Sequence, residues 1–112
     1  MNLDEETLFI REMQEADREH LKKFFVLKNV TNQKRPTDNH PYLLAEFDVA
    51  YKLDSGYMKL GFDENDDSII MCEMDVNFRT MIGLNRSPLE LRILAENVLK
   101  QLKEDILELY HV

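Results

Sequence analysis

A chain of 112 residues, 44% apolar and 32% charged, is long enough for one hydrophobic core and too short for two, so a single domain spanning 1–112 is expected. Its 22 acidic residues against 14 basic ones give a net charge of −8, which disfavours direct contact with nucleic acid or an anionic membrane and favours basic surfaces or other proteins. The longest apolar runs, residues 24–27 and 69–72, fall far short of the ~20 residues that cross a bilayer.

Residues 4–20 place Leu8, Phe9, Met13, Ala16 and His20 at mostly three- and four-residue steps, the pattern of an amphipathic helix. Asp4 is positioned to cap it, with Glu5 and Glu6 in the first turn where the helix dipole favours them. A short strand over residues 8–13 competes. Residues 23–30 are dense in aromatic and β-branched side chains and read as a strand, with continuation of the helix as the alternative. Residues 31–41 hold two prolines and almost nothing apolar, the composition of an exposed connection.

Residues 42–53 alternate, with Leu43, Ala45, Phe47, Val49, Tyr51 and Leu53 on one face and Glu46, Asp48 and Lys52 on the other. Asp54-Ser55-Gly56 supplies turn chemistry, and residues 57–62 put Met58, Leu60 and Phe62 on one side, completing a hairpin. After an acidic turn at residues 63–68, residues 69–82 repeat the alternation, with Ile70, Cys72, Met74, Val76, Phe78 and Ile82 facing the core. Ser87-Pro88-Leu89-Glu90 then announces a helix: a capping serine, a proline suited to the first position and a capping-box glutamate. Leu91, Leu94, Ala95, Val98, Leu102, Ile106 and Leu109 form its apolar stripe. The expected fold class is therefore α+β, an antiparallel sheet of about four strands with an N-terminal helix and a long C-terminal helix packed on it.

Nothing in this pattern marks an enzyme. The turn at residues 63–68 opens like a calcium loop, with Asp63, Asn65 and Asp67 at alternate positions, but Ser68 stands where the loop needs glycine and Met74 where it needs a bidentate glutamate. His20, His40 and His111 are scattered, Gly56, Gly61 and Gly83 are isolated, and Cys72 is the only cysteine, so no cofactor or metal site is expected and no internal disulfide can form. Glu46, Asp48, Glu73 and Asp75 form an outward acidic row. The acidic start of the chain lacks the features of a secretory signal, and a cytoplasmic location is expected.

Tyr42, Leu44, Tyr57, Ile69, Met71 and Met81 fall on the nominally exposed side of their strands. Tyrosine and methionine there suit a protein interface, for which Tyr42, Leu44, Tyr57, Met71 and Met81 are the candidate residues, while cover by the N-terminal helix is the equal alternative. The segment Ile70-Met71-Cys72-Glu73-Met74, running to Phe78, Ile82 and Gly83, resembles the last strand of SecB-like export chaperones, where a Cys-Glu-Val strand leads to a glycine before the first helix. The resemblance spans residues 43–100 at most, and the second helix of that family and the proline-containing connection before it are missing. It implies a non-enzymatic, oligomeric protein that holds unfolded polypeptide on apolar surface, with Cys72, Glu73 and Gly83 in structural roles. The leading expectation is thus a protein-binding module of chaperone or adaptor type that forms a homo-oligomer. The alternative is an acidic decoy of phage or mobile-element type that mimics nucleic acid and occupies a basic groove of its target.

Overall fold

The computed structural model describes residues 2–76 and 88–112, arranged in chain order as α1 (Asn2–Glu15), α2 (Arg18–Phe24), β1 (Phe25–Lys34), β2 (Pro41–Tyr51), β3 (Asp54–Phe62), β4 (Ile69–Val76) and α3 (Pro88–Tyr110). The four strands make one antiparallel sheet in the order β1-β2-β3-β4, the arrangement that short connections between successive strands dictate. This is the expected α+β class.

The sheet's register follows its apolar alternation. Ala45 lies opposite Leu60 and Phe47 opposite Met58, while Leu60 lies opposite Cys72 and Met58 opposite Met74. These rows and Phe25 of β1 form one apolar face, against which α3 buries Leu94, Ala95, Val98, Leu99, Leu102 and Ile106. Each Leu or Phe fully buried there contributes about 1.5–3 kcal/mol.

α1 and α2 lie on this same face, so cover of the second face by the N-terminal helix is ruled out. Phe9 stacks on Phe25 with centroids 6.0 Å apart and meets Tyr51 at 4.7 Å, and Phe25 in turn sits edge-on to Phe47. Side-chain amides tie α1 to α3, that of Asn97 by satisfying carbonyls at the C-terminal end of α1. Asn97 Nδ2 donates to the carbonyls of Met13 and Ala16 at 2.8 and 2.9 Å, and Gln14 Nε2 donates to the Glu90 carbonyl at 2.9 Å. Arg18 grips Asp105 of α3 through two hydrogen bonds of 2.7 and 3.0 Å.

The single helix expected over residues 4–20 is two. Asp17 adopts an extended conformation and caps α2, its carboxylate accepting from the His20 N–H at 2.9 Å, a local bond that competes with continued helix. Asp4 lies inside α1 rather than at its cap. The buried stripe is Phe9, Ile10, Met13 and Ala16, whereas Leu8 is 61% exposed, because α1 must meet both the Phe25–Tyr51 end of the sheet and α3.

Residues 31–34, expected in a loop, continue β1 and pair with residues 41–44. An edge strand needs apolar side chains on its core face only, and here backbone pairing outweighs polar composition. The connection shrinks to residues 35–40, closed by the Arg35 N–H to the His40 carbonyl at 2.8 Å, with Asn39 in the left-handed region at φ 59°. The β2–β3 turn is Lys52-Leu53, with Lys52 at φ 56°, so Asp54-Ser55-Gly56 belongs to β3 and Leu53 is 77% exposed rather than on the core face.

A register shift between Gly61 and Phe62 reverses side-chain parity at the start of β4, so Ile69, not Ile70, lies opposite Phe62 and packs on the core. α3 begins at Pro88 as expected, but Leu109 is 38% exposed and Leu99 joins the buried stripe in its place. Phe78, Met81, Ile82, Gly83 and Ser87, the expected cap, lie outside the described residues.

Candidate protein interface

With all three helices on one face, no described helix covers the other. Strand register resolves that face into rows running across the sheet. One row carries Val26, Asp48, Tyr57 and Asp75, and the next carries Asn29, Glu46, Lys59 and Glu73. A third carries Thr31, Leu44, Gly61 and Met71, and Gln33 and Tyr42 follow. The face is thus acidic towards one end of the strands and apolar towards the other.

Gly61 organises the apolar end. A side chain there would place its Cβ 2.9 Å from Met71 Cγ and 2.9 Å from Tyr42 Cε2, well inside van der Waals contact. Tyr42 and Met71 therefore close over bare backbone from either side, with Leu44 beside Gly61 on the adjacent strand. All three are half-buried although no described helix lies above them. The sequence shows Gly61 only as an isolated glycine; its outward position between core-facing Leu60 and Phe62 is the signal that a neighbour lies across it.

The acidic end is partly neutralised. Tyr57 Oη donates to Glu73 at 2.5 Å, Asn29 Nδ2 donates to Glu46 at 3.2 Å, and the Lys28 ammonium stands 3.5 Å from Asp48. Lys59 lies over the Tyr57 ring, 5.7 Å from its centroid, and between Glu46 and Glu73 in its row. The acidic row is consequently two rows with β3 between the carboxylates, which separates those of β2 from those of β4 by about two strand spacings, ~10 Å. Lys28, Glu46, Asp48, Tyr57 and Lys59 border a shallow depression of about 300 Å³.

Of the five candidate residues, Tyr42, Leu44 and Met71 meet around Gly61, and Tyr57 stands on the same face at its acidic end, 37% exposed. Met81 lies outside the described residues. An apolar groove of about 510 Å³ between β4 and the first turns of α3 is lined by Ile69, Met71, Cys72, Leu89 and Leu91.

Elsewhere the titratable groups form cross-links. His40 Nε2 lies 2.5 Å from Asp63 Oδ2, joining the β1–β2 connection to the acidic turn, and that bond, with the backbone N–H of Asn65, holds the Asp63 carboxyl below its ordinary range. Lys103 of α3 reaches Asp67 from the other side of the turn. Arg35 holds Asp38 down to about 2, and Arg18 lowers Asp105 in the same way. His20 pairs with Glu12 at 2.5 Å. Among the described residues no group of three or more His, Cys, Asp or Glu side chains stands close enough to hold a metal ion, and no helix is long and apolar enough to cross a membrane. No family model, curated protein or solved structure matches the chain.

Proposed function

We propose that this protein is a non-enzymatic protein-binding module, of chaperone or adaptor type, whose contact surface is the helix-free face of its sheet. The observation that carries the reading is the segregation of the fold: the three described helices share one face, while Tyr42, Leu44 and Met71 gather on the other around a glycine that lets them lie flat. Tyrosine and methionine present large, adaptable contact area, and carboxylates and lysines border them on one side as part of a polar rim. The acidic-decoy reading draws less support, because Lys28, Asn29, Lys59 and Tyr57 already engage or flank the carboxylates that would stand for phosphates.

The test is suppression of aggregation of chemically reduced insulin, followed by light scattering, by the wild-type protein and by Tyr57→Ser/Met71→Ser. The double variant should keep its cooperative unfolding transition and lose suppression, because neither side chain belongs to the buried core. Leu8→Ser, an equally apolar change on the helical layer, should leave suppression intact. Full activity in a stably folded double variant would refute the assignment.

A further inference from the structure

From the chemistry of this face we infer that its occupant is a short basic and apolar polypeptide segment rather than a second copy of the chain; the inference rests on the protein-binding reading above. Size is the first argument. Four strands ~4.8 Å apart and 8 to 11 residues long outline a face of roughly 15 by 30 Å, or about 450 Å². A stable pair of folded proteins buries about 800 Å² on each partner, so this face alone falls short of a dimer and suits a linear segment.

Symmetry is the second argument. A face-to-face dimer repeats the same patch on both subunits about a two-fold axis. If that axis lies along the strands, β1 faces β4 and β2 faces β3, which sets Asp75 on Val26 and Asp48 on Tyr57 and gains only Glu46 against Lys59. If it lies across them, the acidic rows are set on Tyr42, Leu44 and Met71. The second arrangement sets carboxylates against apolar surface throughout, and the first does so where Asp75 meets Val26.

Charge is the third argument. Glu46, Asp48, Glu73 and Asp75 outnumber Lys28 and Lys59 on this face, on a chain of net charge −8. Glu73 and Asp75 share β4, two residues apart on the same side, two and four residues along the strand from Met71. A segment that sets an aliphatic or aromatic side chain against Leu44 and Met71 therefore brings its neighbouring Lys or Arg to Glu73 and Asp75. This complementarity selects basic amphipathic segments and rejects acidic ones.

The experiment measures fluorescence anisotropy of two labelled twelve-residue peptides, one alternating leucine and lysine and the other alternating leucine and glutamate, at 50 and 300 mM salt. The wild-type protein should bind the lysine peptide at least tenfold more tightly and lose most of that preference at the higher salt. Glu73→Lys/Asp75→Lys should lower affinity for the lysine peptide about tenfold. Glu104→Lys/Glu108→Lys, an equal change in net charge on exposed positions of α3, should lower it less than threefold. Glu73→Gln/Asp75→Asn, which adds no repulsion, should fall between wild type and the lysine double variant, and circular dichroism confirms that each variant folds. Equal losses in the two lysine variants would reduce the effect to overall charge and overturn the inference. If both peptides bind alike and Tyr57→Ser/Met71→Ser abolishes both, the face binds protein without charge selection, and the inference alone falls. If that variant binds both peptides as the wild type does, the protein-binding reading falls with it.

Discussion

Gly61→Ala is the sharpest probe of the helix-free face, because replacing a strand glycine by alanine ordinarily stabilises by about 0.5–1 kcal/mol. Here the new methyl would lie 2.9 Å from Met71 Cγ and 2.9 and 3.0 Å from two carbons of the Tyr42 ring. Carbon atoms rest at about 3.5–4.0 Å, so three contacts are each too short by about 0.5 Å or more. Both side chains must swing outward and abandon the backbone they cover, and overpacking of this kind costs about 1–3 kcal/mol. Setting the intrinsic gain against it leaves a net loss of about 0.5–2 kcal/mol, a fall in melting temperature of roughly 2–8 °C for a domain of this size. Urea denaturation followed by circular dichroism measures it directly. The same substitution in a Tyr42→Ala/Met71→Ala background should be neutral or stabilising, a coupling of about 1 kcal/mol or more. Stabilisation by Gly61→Ala in the otherwise unchanged protein would show that Tyr42 and Met71 do not lie over Gly61, and the candidate surface would lose its centre.

Leu94→Ala removes a fully buried side chain from the second turn of α3 and should cost about 2–5 kcal/mol; an unchanged denaturation midpoint would place that stripe in solvent. Asp17→Ala deletes the cap of α2 and should cost about 1 kcal/mol, while Asp17→Ser should be close to neutral, as read from the same denaturation curves. A carboxyl held below its unfolded value stabilises the fold fully above that unfolded value and loses the contribution as pH falls through the folded one. Asp63 and Asp105 are both lowered, and Asp38 reaches about 2, so stability should decline as pH drops from about 4 towards 2. His40→Ala removes the largest cause acting on Asp63, so the Asp63 carboxyl resonance should titrate at higher pH; an unchanged midpoint would show that His40 does not contact it in solution.

The apolar alternation of residues 43–49 and 58–62 and the stripe through Leu94, Val98, Leu102 and Ile106 made the core face legible from sequence, because a side chain that must be buried betrays its period. Features that rest on backbone pairing left no such trace. The polar end of β1 is held by its partner strand, Lys52-Leu53 turns the chain with neither glycine nor proline, and the shift beside Gly61 reverses the parity of Ile69 through hydrogen-bond register alone. Of the candidate surface, the outward Tyr42, Leu44, Tyr57 and Met71 could be read as a set, but not their division into an acidic and an apolar end. That division depends on which residues of neighbouring strands stand opposite, a tertiary fact. The helical side was the least legible: whether α1 joined α3 or faced it across the sheet hinged on the partners of Phe9 and on the amides of Gln14 and Asn97.

Because α3 supplies much of the cover for a sheet whose four strands all precede it, the order of synthesis leaves the strands waiting. Each hairpin is local and can pair as it leaves the ribosome, yet the apolar face with Phe47, Leu60 and Met74 stays largely bare until residues 94–106 emerge. α1 and α2, made first, shelter chiefly the Phe25–Tyr51 end, and Asn97 must arrive before it can bond the Met13 and Ala16 carbonyls. Nascent chains halted before α3 should therefore be open to proteases and prone to clump, and release of the last turns should close the domain in one cooperative step.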